Sequence, residues 1–264
     1  MLRSVLHPRP LPAALFALLV LALGACATRP TDPAARAEYD ETNDPFEPLN
    51  RKIFAFNLFF DRILFRPVAV TYDAAVPEVM RNSIRHFLDN LGEPVVFAND
   101  MLQGEFKRAD TTVGRFLMNS TFGVGGLMDL ATKEGLEKQS GDFGQTLYAW
   151  GAGDGPYLVL PLFGPSNVRD AFGLGVDVMT TPPALVVTGH SRTLVGVTVG
   201  ALDGIDLRSR NIETLDEIKA SSLDFYAHLK SVTRQHRAGE LREARGLEAA
   251  PPELVDPNAP PDEP

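Results

Sequence analysis

The segment D-P-F-E-P-L-N-R-K-I-F-A-F-N-L-F-F-D-R-I-L-F-R-P, from Asp44 to Pro67, constrains the fold more than any other. It holds six of the sixteen Phe residues, and at about 100° per residue its apolar positions wind into two separate stripes. Ile53, Phe56, Phe59, Phe60, Ile63 and Leu64 fill one broad arc, and Phe54, Leu58 and Phe65 form a narrower one. A thin polar strip of Asn50, Asn57 and Asp61 divides them on one side, and a cationic strip of Arg51, Lys52, Arg62 and Arg66 on the other. A helix with two apolar stripes needs two apolar surroundings, or one that nearly encircles it. A core helix packed on both sides meets that need. So does a helix lying in a membrane, its aromatics in lipid and its cations near phosphate.

The N-terminus bears on the choice. Arg3 and Arg9 precede an apolar run from Leu11 to Leu23, too short to span a bilayer and placed where a signal peptide has its apolar region. Residues 1–25 are therefore expected to be an export signal. The run ends in Leu23-Gly24-Ala25-Cys26, which resembles a bacterial lipobox cleaved before the Cys. Cys26 is the only Cys, so no disulfide forms within one chain, and lipidation explains a lone Cys in an exported protein. At about 0.8 kcal/mol per buried CH₂, several acyl chains on Cys26 make a lasting anchor. Ala27, where Asp would favour inner-membrane retention, points to the outer membrane.

Loss of Arg3 and Arg9 with the signal moves the formal charge from −9 to −11. The negative charge gathers in the flanks: residues 26–43 read as a lipidated Cys with an acidic tether, and 241–264 as a disordered, Pro-rich acidic tail. The body between, 44–240, is close to neutral and reads as one domain. An acidic total of this kind argues against nucleic acid as a partner.

Along the body, Arg66-Pro67 is expected to end the first helix, with R-P-V-A-V-T-Y as an extended connector. An amphipathic helix follows to about Gly92, Pro94 begins another, and a third starts at Glu105. Tyr157 to Leu160 is extended and apolar, and Ser166 is a suitable N-cap for the next helix. Gly196, Gly200 and Gly204, four apart, predict a small-residue ridge packed closely on a neighbour. One long helix is expected from about Ile212 to Arg237. No hairpin series, repeat or βαβ alternation stands out, so the body reads as mostly α.

No chemistry is specified. The G-V-G-G at Gly123 to Gly126 lacks the Lys-Ser/Thr of a phosphate loop and reads as a helix-breaking turn with close backbone packing. His86, His190, His228 and His236 fall in no H-E-x-x-H, there is no G-x-S-x-G elbow, and no carboxylate pair is singled out. The expectation is a non-enzyme without cofactor or metal.

Several blocks in order, D-P-F-E-P-L-N-R with F-x-F-N, R-P-V-A-V, N-L-G-E-P…N…L-Q-G, R-F-L-M-N-S-T-F-G-V-G-G-L-M-D-L-A, F-G-Q-T-L-Y-A-W-G…G-P-Y-L-V-L-P-L-F-G-P-S…R-D and D-L-R-S-R, resemble the MlaA/VacJ family of outer-membrane lipoproteins. The likeness spans roughly Asp44 to Arg237, with Leu49 where Phe is more usual. It implies a single ring-shaped domain of amphipathic helices embedded in the inner leaflet of the outer membrane, anchored on the periplasmic side, with a central polar channel. It further implies removal of mislocalised phospholipids from the outer leaflet and their handover to MlaC, a soluble periplasmic carrier. The inner-membrane Mla ABC transporter lies beyond, and trimeric porins associate with the ring. On this reading Phe54, Phe56, Phe59, Phe60, Ile63 and Leu64 are membrane-facing candidates, and Asn50, Asn57 and Asp61 are channel or gate candidates. The alternatives are a structural, porin-associated envelope lipoprotein and a lipid-modifying enzyme.

Overall fold

A computed structural model describes residues 32, 44–182 and 190–245. Cys26 with the signal, nearly all of the tether, and the tail from residue 246 lie outside the described residues. The helices are α1 (Glu47–Phe60), α2 (Arg66–Ala75), α3 (Glu78–Gln103), α4 (Phe106–Thr121), α5 (Phe143–Ala149), α6 (Val168–Thr180), α7 (His190–Arg210), α8 (Ile212–Ser221) and α9 (Phe225–Glu243). One antiparallel hairpin, β1 (Tyr157–Leu160) and β2 (Gly164–Asn167), is paired from Tyr157–Asn167 to Leu160–Gly164. The fold is thus mostly helical, as the sequence predicts, with a hairpin that it did not single out. No helix among the described residues is long and apolar enough to cross a membrane.

Pro67 does not end the first helix. A π-turn, Asp61–Phe65, joins α1 to α2, and the Arg66 N–H reaches back to the Asp61 carbonyl. The widened turn relieves the carbonyl ladder at the point where Pro67 brings a ring and no N–H, so the chain stays helical through what reads as an extended connector. Pro94 likewise starts nothing. It sits inside α3, which runs through Gly92 as well. An interior proline costs a helix about 3 kcal/mol. Here α3 is held on both sides of it by its buried residues Asn90, Glu93, Asn99 and Asp100, which bond to neighbouring elements.

Three further boundaries move. Asn167 caps α6, its side chain accepting from the Asp170 N–H at 2.8 Å, while Ser166 belongs to β2. The expected last helix is two, broken at Ser222, with Asp224 capping α9. Helix α9 continues past residue 240, and Leu241 and Ala244 are buried, so the folded body extends beyond the expected boundary.

The glycines divide into two kinds. At Gly126 (φ 94°) a Cβ would lie 2.7 Å from Asn90, so the G-V-G-G stretch is indeed a tight turn against α3. Helices α5 and α6 approach just as closely, since a Cβ on Gly173 would stand 2.4 Å from the Gly144 nitrogen. The ridge of Gly196, Gly200 and Gly204 faces open space instead, and no backbone packs on it. Gly173→Ala is therefore expected to cost about 1–3 kcal/mol through overpacking. Gly200→Ala should stabilise by about 0.5–1 kcal/mol through helix propensity alone. Thermal unfolding of the two purified variants checks this, and equal shifts would contradict the packing described.

Neighbouring elements close on themselves: α1 lies on β1, β1 on α6, α6 on α5, α5 on α3, α3 on α7, and α7 on α2, which continues α1. A smaller circuit runs from α7 through α8 and α9 to β2. What these rings bury is unusual for a protein in water. Among the described residues, buried polar and charged side chains outnumber buried apolar ones, and four of the latter are alanines. One small apolar cluster, Tyr157, Val159 and Tyr226 with Ile53 and Phe54 against it, joins α1, the hairpin and α9. Large apolar side chains lie outside instead: Phe59, Ile63, Val79, Phe106, Phe122, Phe163, Met179 and Leu194 are each more than half exposed. Surfaces of that kind mark a partner or a membrane.

Candidate functional site

The two stripes of α1 meet two different surroundings. Phe56, Phe59, Ile63 and Leu64 point outward and are exposed, with Phe60 half-buried against Phe56 and Phe59 through ring contacts at 4.6 and 5.8 Å. Phe54 faces the other way. Its ring stacks at 5.5 Å on Phe225 and 5.4 Å on Tyr226, so of the six membrane-facing candidates it is the one turned inward. Leu58 and Phe65, which complete its stripe, line a cavity of about 700 Å³.

This cavity is walled by α1 and the π-turn, the hairpin turn, α7, α8 and α9. Its apolar lining is Phe54, Leu58, Phe65, Leu162, Phe163, Leu207, Leu215, Phe225 and Leu229, and its polar lining is Asn57, Asp61, Arg62, Arg66, Arg208, Asn211, Asp216 and Lys219. One chamber thus offers both hydrocarbon and charge. Two of the three channel candidates, Asn57 and Asp61, stand in it.

The polar strip does a structural job along its whole length. Asn50 is buried and away from the cavity; its Oδ1 accepts from the Val159 N–H at 3.0 Å, and its Nδ2 donates to the Tyr157 carbonyl at 3.0 Å. The same amide donates to Asp44, which also accepts from the Tyr226 hydroxyl. Two helical turns on, Asn57 repeats the pattern, donating to the Leu160 carbonyl at 2.9 Å and accepting from the Leu162 N–H at 2.8 Å. The second clamp fixes the hairpin turn, where Leu162 holds a left-handed φ of 68° that a leucine seldom adopts. Two asparagines seven residues apart therefore bind one strand edge to one helix.

Asp61 ends the strip. It takes a two-pronged ion pair from Arg208 on α7, with Nε–Oδ1 at 2.6 Å and Nη2–Oδ2 at 3.1 Å. The cationic strip also finds acids. Arg66 bonds Asp216 on α8 at 2.7 Å and holds that carboxyl below the usual carboxylate range, and Arg51 bonds Asp224 at the start of α9 at 2.7 Å. Helices α8 and α9 are tied to α1 and α2 through these pairs, and α8 has no buried residue of its own. Exposed pairs are worth about 0–1 kcal/mol each, so α8 is loosely held, whereas α9 is also seated through Phe225 and Tyr226 on Phe54.

A second polar cluster has no cavity worth the name and serves the scaffold. Arg115, 2% exposed, donates to Glu93 at 2.9 Å, to Thr132 at 2.9 Å and to Asp129 at 3.1 Å. Burial pushes the Glu93 carboxyl up despite Arg115. For Asp129 burial pulls the same way but is overcome by bonds from Thr132, Arg115 and Asn119, so it lies well below the usual range. No group of three or more His, Cys, Asp or Glu among the described residues is placed to hold a metal ion.

Reading the sequence missed most of the far wall. Leu162, Phe163, Leu207, Arg208, Asp216, Lys219 and Phe225 lie about 100 or more residues from Asn57, and nothing local marks their convergence. One signal was available, since Arg208 belongs to the D-L-R-S-R block that carries the family likeness.

Comparisons with known proteins bear on this arrangement. The family model described as MlaA lipoprotein matches residues 42–240. An uncharacterized protein of Rickettsia bellii is 35% identical over 218 residues, covering 83% of this chain and 84% of that one. The intermembrane phospholipid transport system lipoprotein MlaA of Escherichia coli is 32% identical over 238 residues, covering 85% and 90%. Its namesake in Haemophilus influenzae is 30% identical over 223 residues, covering 83% and 88%. A chain solved for work on the structural basis for maintenance of bacterial outer membrane lipid asymmetry superposes with a TM-score of 0.65 at 32% identity, covering 75% of this chain and 98% of the other.

Proposed function

This chain belongs to the MlaA lipoprotein family, and from that premise we propose that it withdraws mislocalised phospholipids from the outer leaflet of the outer membrane and passes them toward the periplasm. Cys26 would carry the lipid anchor, and the ring would sit in the inner leaflet with its exposed apolar residues in acyl chains. A soluble periplasmic carrier would receive the lipid, an inner-membrane transporter would act beyond it, and trimeric porins would stand beside the ring.

The observation that supports this most is the inverted polarity, with buried polar networks inside, large apolar side chains outside, and one chamber that mixes the two. A charged head group at the centre of hydrocarbon faces a barrier of roughly 2.5 to over 10 kcal/mol. A chamber lined by both Asp61, Arg62, Arg66 and Lys219 and Phe65, Leu207 and Leu229 lowers that barrier while offering hydrocarbon to the acyl chains. Such a device needs no catalyst, and the Escherichia coli relative is named for intermembrane phospholipid transport.

The test is genetic. Deleting the gene is expected to raise the phospholipid that a membrane-impermeant amine reagent labels on intact cells, and a plasmid copy should restore it. Unchanged labelling in the deletion strain would overturn the transport reading in favour of a purely structural lipoprotein.

A further inference from the structure

The chamber's charge differs in sign from the chain's. The chain as a whole carries a formal −9, yet the lining sets four cations, Arg62, Arg66, Arg208 and Lys219, against two carboxylates, Asp61 and Asp216. Both carboxylates are already taken, by Arg208 and Arg66. Asn57 is spent on the hairpin turn and Asn211 donates to the Leu207 carbonyl at 2.7 Å. Arg62 and Lys219 remain. Both line the chamber and are exposed, and no hydrogen bond or ion pair holds either among the described residues, although the Lys219 charge acts together with Arg66 on Asp216. With four cations to two carboxylates in its lining, and two of those cations without a hydrogen-bonded partner, the chamber holds a surplus of positive charge beside an apolar wall.

We propose that Arg62 and Lys219 bind the phosphate of a glycerophospholipid whose head group carries net negative charge, with hydrocarbon along Phe65, Leu207, Leu215 and Leu229. A phosphodiester answers two cations with a single charge spread over two free oxygens, which suits a guanidinium and an ammonium lining one chamber. A choline or ethanolamine head adds an ammonium inside a lining that already has cations in excess, so zwitterionic lipids are disfavoured there. The volume, about 700 Å³, lies in the range of roughly 300–1,000 Å³ that holds one small ligand. It suits a head group with part of its chains, one lipid at a time.

This inference rests on the phospholipid-passage reading above, and the experiment separates the two. Purified full-length lipoprotein in detergent is titrated with radiolabelled dioleoyl phosphatidylglycerol and, separately, dioleoyl phosphatidylcholine. The wild type should bind the glycerol lipid about tenfold more tightly, because both lipids offer the same phosphate but only the choline lipid brings an ammonium against the cations, and the preference should shrink as salt is raised. Arg62→Gln with Lys219→Gln should abolish the preference, weakening the glycerol lipid most and the choline lipid, whose phosphate loses the same two cations but whose ammonium is no longer repelled, much less; both positions are exposed, so the fold is kept. Arg62→Lys should restore part of it. A preference that survives in the double variant would overturn the proposal and leave lipid passage standing. Inorganic phosphate competing as well as the lipid does would overturn the lipid assignment in favour of a free-phosphate site. Saturable binding of neither lipid would overturn both readings.

Discussion

Arg115→Met is expected to remove about 3–5 kcal/mol of stability, the usual cost of taking one partner from a buried ion pair. The side chain is 2% exposed and donates to Glu93, Asp129 and Thr132, so its loss leaves a 2%-exposed Glu93 without its hydrogen-bonded counter-charge. Thermal unfolding of the purified variant should show a midpoint lower by on the order of 10 °C for a body of this size. The deficit should also depend on pH in a set direction. Burial raises the folded pKa of Glu93 above its ordinary 4.5, and without Arg115 it rises further. A raised folded pKa means that the folded state binds more protons than the unfolded one, so stability is present at low pH and falls as pH climbs through the raised value. The variant should therefore approach the wild type as pH drops toward 4.5 and diverge above it. A deficit that does not change with pH would mean that Glu93 is not the group left exposed to the loss.

That cluster also explains where the sequence misleads. Periodicity located the two stripes of α1 and separated them at all but Ile53. Phe54, Leu58 and Phe65 face inward and Phe56, Phe59, Ile63 and Leu64 do not. Ile53, read as part of the outer arc, packs with Phe54 on the inner cluster. Local rules failed at both prolines. Pro67 stays helical through a π-turn, and Pro94 stays helical because Glu93 and Asn90 on its N-terminal side and Asn99 and Asp100 on its C-terminal side are bonded elsewhere. Those bonds reach across the fold, and no window around Pro94 contains them. The glycine ridge of α7 failed for a related reason. Four-residue spacing makes a smooth face, but whether anything covers it depends on the neighbours, and the close approach falls at Gly144 and Gly173 instead.

The site was half legible. The strip of Asn50, Asn57 and Asp61 was visible as a polar line between apolar arcs, and the structure places all three in bonds that hold the hairpin and α7 to α1. The strip alone cannot tell Asn50, sealed under the hairpin, from Asn57 and Asp61 in the chamber. The difference is made by Tyr157 and Val159, more than 100 residues away. Of the acids that partner the cationic strip, Glu47 lies four residues before Arg51, but Asp216 and Asp224 are as distant as the strand and have no local signature.

Gly204→Trp is expected to abolish lipid passage without unfolding the protein. Gly204 lies on α7 in the chamber wall, and a Cβ added there meets nothing within 4 Å. An indole there meets no neighbour at its Cβ and, on a residue of the chamber wall, is expected to occupy chamber volume. The backbone is ordinary helix at this position, so replacing glycine should add about 0.5–1 kcal/mol of helix stability rather than remove it. Gly204→Ala is the matched control, since it makes the same backbone gain and leaves the volume nearly unchanged. Changes at Asp61 or Asn57 would be harder to read, because each breaks bonds to Arg208 or the hairpin.

The claim that lipid moves through this chamber is tested most directly by outer-leaflet phospholipid labelling in cells whose only copy of the gene carries Gly204→Trp. The account predicts labelling as high as in the deletion strain, with the lipoprotein at wild-type abundance in the outer membrane and the Gly204→Ala strain indistinguishable from wild type. Wild-type labelling with the chamber plugged would contradict it.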